Sequence, residues 1–318
     1  METFRVRHST PDQERVLLLP LSLGNSSLAL LHILSQHLQR QIENTGRTGF
    51  KLNVLHIILP TEDTEKSQAR LSAIRTRYPQ YTYHTHPLSD IFNPSILPPT
   101  DLPPALHHLL PPTDTSTTTT PAEKLTHLLT TTPHNPTSRA DLCQIVLHTL
   151  LLHLARTQEC EALLLGSSTT RLAQRTLAET AKGRGYSLPH HIGDGEQGEG
   201  GAMCYYPMRD LLGKEIQAFV EMLELQNFVI SPAREGGGVV STRNMTIDEL
   251  VGRYFEGVER EFPSVVSNVV RTVGKLERLS GVEQVGVCEL CRVPLNGAAP
   301  ERSRLCYGCI RTLGRKEM

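Results

Sequence analysis

A doubly wound α/β domain with a parallel sheet, closed by a small cysteine-bearing ribbon, is the fold class this sequence predicts. Three observations carry that reading. Short apolar runs alternate with amphipathic stretches through the first 90 residues and again beyond residue 138, as crossover-connected parallel strands require. The first apolar run ends in a small polar turn that leads directly into a helical pattern. Four of the seven cysteines form two CxxC pairs near the C-terminus.

The elements follow in order. Arg15–Leu21 (RVLLLPL) reads as a buried strand, and Leu28, Leu30, Leu31, Ile33, Leu34 and Leu38 then recur at helical spacing, with Ser26 or Ser27 placed to cap the helix. Lys51–Leu59 reads as a second strand, Glu62–Arg77 as a charged helix and Tyr81–Thr85 as a third strand. Between residues 93 and 137 Pro and Thr dominate, so this segment is expected to be a flexible insertion. Order resumes with a helix over Arg139–Thr157, a strand over Glu161–Leu165 and a helix over Arg171–Lys182. After the glycine-rich loop 193–201, helices are expected at Lys214–Leu225 and across Thr246–Leu279. The divisions are therefore 1–92, first half of the α/β domain; 93–137, insertion; 138–280, second half with a helical extension; and 281–318, ribbon.

The formal net charge of −1 provides no global positive field, so any nucleic-acid contact has to come from a local patch. Met1–Arg15 is too polar for a signal peptide or membrane anchor, and the apolar runs are too short to span a bilayer. The odd cysteine total, without a secretory signal, argues against a disulfide framework and for an intracellular protein.

Cys288-Glu-Leu-Cys291 and Cys306-Tyr-Gly-Cys309 are knuckles separated by 14 residues. Each directs two thiolates at one ion, and together they complete a tetrahedral S4 site whose zinc is structural, since no coordination position stays open. An iron–sulfur cluster is the lesser rival. From residue 271 to the end there are nine Lys and Arg against five Glu, a local surplus suited equally to a phosphate backbone or to an ordinary solvated surface.

The turn Ser22-Leu23-Gly24-Asn25-Ser26-Ser27 stands where backbone N–H groups and a helix dipole can meet phosphate. It resembles the PP-loop of ATP pyrophosphatases, Ser-Gly-Gly-x-Asp-Ser. Ser22, Gly24 and Ser27 match, whereas Leu23 replaces a glycine and Ser26 replaces the aspartate. Leu disfavours the positive φ that glycine accepts, and losing Asp removes a carboxylate suited to a metal–nucleotide. ATP turnover is not expected from this loop, and nucleotide contact is expected to be weak at most.

A longer match is more specific. Leu164–Ala173 (LLGSSTTRLA), Glu179–Pro189 (ETAKGRGYSLP), Tyr206–Leu211 (YPMRDL) and Lys214-Glu215-Ile216 resemble the cytoplasmic tRNA 2-thiolation protein 2 family, and the paired knuckles fit it too. The resemblance implies a PP-loop fold and a cytoplasmic heterodimer with a catalytic PP-loop paralogue, cytoplasmic tRNA 2-thiolation protein 1. It also implies sulfur delivered as a thiocarboxylate on a ubiquitin-related modifier (the urmylation pathway) to the wobble uridine of tRNA Lys, Glu and Gln. In that light Lys182 and Arg184, a plain helix C-cap on their own, are expected to contact tRNA. The catalytic relatives carry a CxxC near Cys143 and another reactive cysteine near 227–231; here Cys143 stands alone and 227–231 holds none. Cys143, Cys160 and Cys204 therefore read as packing residues. Family members also carry a cysteine-bearing segment ahead of the first strand, which Met1–Arg15 does not resemble. A non-catalytic tRNA-binding subunit is thus the leading expectation, against an active ATP-dependent tRNA sulfurtransferase or a zinc-ribbon scaffold with no RNA role.

Overall fold

The computed structural model describes Phe4 and residues 15–110, 119–131, 135–196, 202–230, 245–276, 286–295, 299–300 and 303–314. The glycine-rich stretches at 197–201 and 235–238 and much of the basic tail lie outside these residues.

Six strands form one sheet: β1 (Val16–Pro20), β2 (Lys51–Ile58), β3 (Thr82–Pro87), β4 (Ala162–Leu164), β5 (Gly195–Glu196) and β6 (Met203–Tyr205). Their order is β3-β2-β1-β4-β6-β5, parallel except for β5, which runs antiparallel to β6. Strand order reverses between β1 and β4, which places a crevice at their C-terminal ends, the usual ligand position in such sheets.

Alternation along the strands assigns each side chain to a face. Leu17, Leu19, Val54, Ala162 and Leu164 join a core with α1 (Asn25–Thr45), α2 (Thr64–Arg77) and α8 (Gly213–Met222). Leu18, Leu55, Ile57 and Leu163 point the other way, onto α3 (Pro104–His107), α4 (Pro121–Thr131) and α5 (Pro136–Thr157). The ribbon residues Cys288, Leu290, Leu295, Cys306, Cys309 and Leu313 belong to this second core. A third core joins α6 (Thr169–Ala181) and α7 (Leu188–Ile192) to α9 (Ile247–Glu261) and α10 (Pro263–Val273). The last helix, α11 (Tyr307–Leu313), grows out of the second knuckle.

The 93–137 segment corrects the expectation of a flexible insertion. Leu97, Leu102, Leu106, Leu125 and Leu128 are buried, and α4 covers the 88–92 turn. The cause is local: Leu125 and Leu128 stand three residues apart on one helical face, and Glu123 closes the start of α4 by accepting from the Thr120 N–H at 2.7 Å. Residues 111–118 and 132–134 lie outside the described set.

Candidate functional site

The turn after β1 is built as the pattern requires and filled in a different way. The residue with a left-handed backbone is Leu23, at φ 58°, while Gly24 sits at φ −91°, open to any residue. Forcing a non-glycine residue there costs about 1–2 kcal/mol. Complete burial of the Leu23 side chain offsets this by about 1.5–3 kcal/mol. The Leu23 carbonyl accepts from the Ile230 N–H at 2.8 Å, which ties the turn to the segment after α8. Ser27 Oγ donates to the Gly24 carbonyl at 3.1 Å and lies 3.2 Å from Ser22 Oγ, so these hydroxyls serve the turn itself. From the far side of the crevice, Gly166 presses onto the turn. A Cβ there would stand 3.1 Å from the Ser26 carbonyl and the Ser27 backbone, so any larger residue would push the turn by a few tenths of an ångström.

The motifs at 164–173 and 206–216 interlock. Ser168 caps α6 by accepting from the Arg171 N–H, and Thr169 Oγ1 donates to the Arg209 carbonyl at 2.6 Å. Thr170 Oγ1 accepts from the Gly213 N–H at 2.8 Å and donates to Glu259 at 2.9 Å. These hydroxyls fix α8 and α9 against α6.

Lys182 and Arg184 are buried, which corrects the expectation that they meet RNA. Gly183, at φ 90°, turns the chain at the end of α6 so that both basic side chains run inward. Arg184 is 2 % exposed. It makes a two-pronged ion pair with Asp141 of α5 and reaches Glu179 at 3.1 Å, the Thr312 hydroxyl at 3.1 Å and Cys309 Sγ at 3.7 Å. Lys182 Nζ lies 3.2 Å from Glu179, 3.4 Å from Asp141 and 2.9 Å from Asp248 at the start of α9. The charges that sequence assigned to a phosphate are therefore committed to carboxylates inside the protein. Asp141 lies 43 residues from Arg184 and Thr312 lies 128 away, so no local pattern announces the cluster.

Burial alone would lower the affinity of Lys182 for its proton, but Glu179, Asp141 and Asp248 together raise it. Burial alone would likewise raise Glu179, yet neighbouring cations outweigh it and hold that carboxyl down at about 2. Among them, Arg184, Lys182 and Arg175 are charged at neutral pH, whereas His191, its own value pushed down to about 3 by burial, adds only where it is protonated. A depressed carboxyl stabilises the fold above its unfolded value and loses that contribution as pH falls. As pH falls from 6 to 3, protonation of Glu179 should lower the stability of the wild type. Urea unfolding at the two pH values should show a smaller drop for Glu179→Gln than for the wild type.

The four ribbon cysteines converge. Their Sγ atoms all lie within 4.8 Å of one another, and Cys291 and Cys306 stand 3.9 Å apart. A tetrahedron with metal–sulfur arms of 2.3 Å has edges of about 3.8 Å, so the set fits one ion. Cys288 N–H donates to the Val293 carbonyl, and Arg292 takes a left-handed backbone at φ 59° just after Cys291 to close the first knuckle. The Cys306 N–H donates to Cys288 Sγ and the Cys309 N–H to Cys306 Sγ, each at 3.4 Å, as suits thiolates. Mutual hydrogen bonding drives Cys288 down to about 7 and Cys306 lower still, and Cys291 and Cys309 up, because four adjacent thiols cannot all ionise without a cation. Leu290, Leu295 and Leu313 bury the ribbon, and the Ala105 N–H at α3 donates to the Glu289 carbonyl at 3.3 Å.

Among the described residues, none of Cys143, Cys160 and Cys204 belongs to a group of three or more ligand side chains close enough to share an ion. Burial raises the thiol of Cys143 and pushes that of Cys160 up to about 11, a poor setting for a nucleophile.

Parallel sheet, reversed strand order and glycine-pressed turn define an α/β protein of the PP-loop type with a tetracysteine ribbon docked on its core. The chain belongs to the cytoplasmic tRNA 2-thiolation protein 2 family. The family model of that description matches residues 246–304. A relative of that name from Phaeosphaeria nodorum is 40% identical over 98% of this chain and 85% of its own length. Another from Pyrenophora tritici-repentis is 37% identical over the same shares. One from Sclerotinia sclerotiorum is 39% identical over 85% of this chain and 71% of its own. Among solved structures, the U34-tRNA thiolase NcsA from Methanococcus maripaludis with its [4Fe-4S] cluster shares the fold, with TM-score 0.55 at 15% identity over 91% of this chain and 84% of that one.

Proposed function

We propose that this chain is the non-catalytic subunit of a cytoplasmic complex that 2-thiolates the wobble uridine of tRNA Lys, Glu and Gln. Its partner in this reading is a catalytic PP-loop paralogue, with sulfur supplied by a thiocarboxylated ubiquitin-related modifier. The observation that carries the proposal is the turn at Ser22–Ser27: a buried Leu23 and a serine at position 26 replace the glycine and carboxylate of an ATP-hydrolysing loop. The raised thiols of Cys143 and Cys160 support the same conclusion, since a thiol held protonated is a poor nucleophile and a poor metal ligand. Ser22, Gly24 and Ser27 then contribute structure or a weak nucleotide contact. No helix among the described residues is long and apolar enough to cross a membrane.

The ribbon ion in this reading is zinc. Thiolates of a cubane cluster each bind a different iron and stand farther apart than a set confined within 4.8 Å, which favours a single ion. Contact with tRNA falls to exposed cations of the C-terminal region, such as Arg271, Lys275, Arg304 and Arg311, in place of the buried Lys182 and Arg184. The test is nucleoside mass spectrometry of bulk tRNA from cells lacking the gene. Loss of 2-thiouridine, restored by the intact gene, is expected; an unchanged level sinks the proposal. Robust ATP-dependent AMP formation by the isolated chain would point instead to an active sulfurtransferase.

A further inference from the structure

The Lys-Gly-Arg-Gly turn and the ribbon meet at one side chain. Arg184 Nη2 stands 3.7 Å from Cys309 Sγ, and the other partners of its guanidinium come from α5 (Asp141), α6 (Glu179) and α11 (Thr312). Thr312 Oγ1 in turn lies 2.9 Å from the Gly308 carbonyl, inside the second knuckle, and bonds Asp141 as well. The fit is tight: a Cβ on Gly308 would lie 2.4 Å from Arg184 Cγ and 2.7 Å from Nε. Four thiolates around a divalent ion leave a net charge of −2, and this centre is buried beside Asp141 and Glu179. Uncompensated negative charge there is costly. Arg184 touches both the thiolate set, through Cys309, and the carboxylates of Asp141 and Glu179.

We propose that Arg184 is the counter-cation and positioning residue of the ribbon metal centre, so that ion retention and docking of the ribbon onto α5 and α6 are one coupled event. This rests on the reading that Cys288, Cys291, Cys306 and Cys309 hold a single zinc. Partners outside the ligand set orient the ligands and tune their basicity, and their loss weakens metal binding by roughly 10–100-fold. Coupling is reciprocal, so removing the ion must also loosen the Arg184 turn. Lys182 shares Glu179 and Asp141 with Arg184 but pairs outward with Asp248, which separates a charge effect on the ion from a general loss of stability.

The experiment is competition for zinc between the full chain and a chromogenic chelator, with hydrogen exchange followed on the same samples. Arg184→Gln is expected to bind zinc roughly 10–100-fold more weakly. Gly308→Ala, which removes no charge and no ligand, is expected to weaken binding in the same direction by displacing the guanidinium. Lys182→Gln is expected to keep wild-type zinc affinity. In the wild type, stripping the zinc is expected to speed exchange across 182–187 while α1 is unchanged, a readout that survives even if the Arg184 variant fails to fold. Equal zinc affinity in Arg184→Gln and wild type, equal loss in Lys182→Gln, or unchanged exchange at 182–187 overturns the proposal. A wild type carrying no zinc instead refutes the metal reading beneath it.

Discussion

Cys306→Ser should reduce the metal content from about one ion per chain to none and detach the ribbon from the α/β core. Cys306 is fully buried, caps α11 and holds the thiolate that hydrogen bonding drives lowest of the set. A serine oxygen cannot supply a soft fourth ligand, and three thiolates crowded without an ion repel one another. Ribbon folding is then lost together with ion binding, as in small metal modules whose binding energy is folding energy. Leu290, Leu295 and Leu313 would leave the second core, and at about 1.5–3 kcal/mol each the expected cost is roughly 5–9 kcal/mol. Inductively coupled plasma mass spectrometry gives the metal count, and limited proteolysis should find new cleavage within 286–314. Cys143→Ser provides the contrast: its thiol takes no part in the ligand group, so it should keep both metal and protease resistance. A Cys306→Ser chain that retains a stoichiometric ion would rule out the tetrahedral site.

The part of this molecule that sequence could reveal is the part in which neighbours along the chain determine the structure. β1, β2, β3, β4 and the helices between them follow from apolar periodicity, and the knuckles follow from spacing. Leu125 and Leu128 also carried a helical signal, but β-branched Thr on either side masked it, because intrinsic propensity is outvoted when a helix has a core to cover. The three-residue β6 and two-residue β5 were too short for alternation to show. Lys182 and Arg184 failed for a different reason. A basic turn beside glycines looks solvated unless Asp141, Asp248 and Thr312 are known to converge on it, and that convergence exists only in three dimensions. Leu23 was legible as a departure from the glycine pattern, yet its burial, which makes the left-handed turn tolerable, depends on the packing of α1 and α8.

Asp141→Ala should be the most destabilising single change in the charge cluster. Its carboxylate is 4 % exposed and serves both Arg184 and Lys182. Removing one member of a buried ion pair strands its partner, at a cost of about 3–5 kcal/mol. Here Arg184 would keep only Glu179 as a carboxylate partner, a partner it shares with Lys182, and Thr312 would lose its link between α11 and α5. Asp248→Ala is the matched comparison. It also removes a partner of Lys182, but Asp248 is 39 % exposed, so water replaces much of what is lost and the expected cost is at most about 1 kcal/mol. Urea unfolding of both variants at neutral pH gives the two numbers. The ordering matters more than either value. If Asp248→Ala costs as much as Asp141→Ala, the cluster is a solvated surface network, and Lys182 and Arg184 return to being available for phosphate. If Asp141→Ala is the far costlier change, the family's basic turn is an internal strut whose charges belong to the fold, and the search for the RNA-facing surface moves to the exposed cations of the C-terminal region.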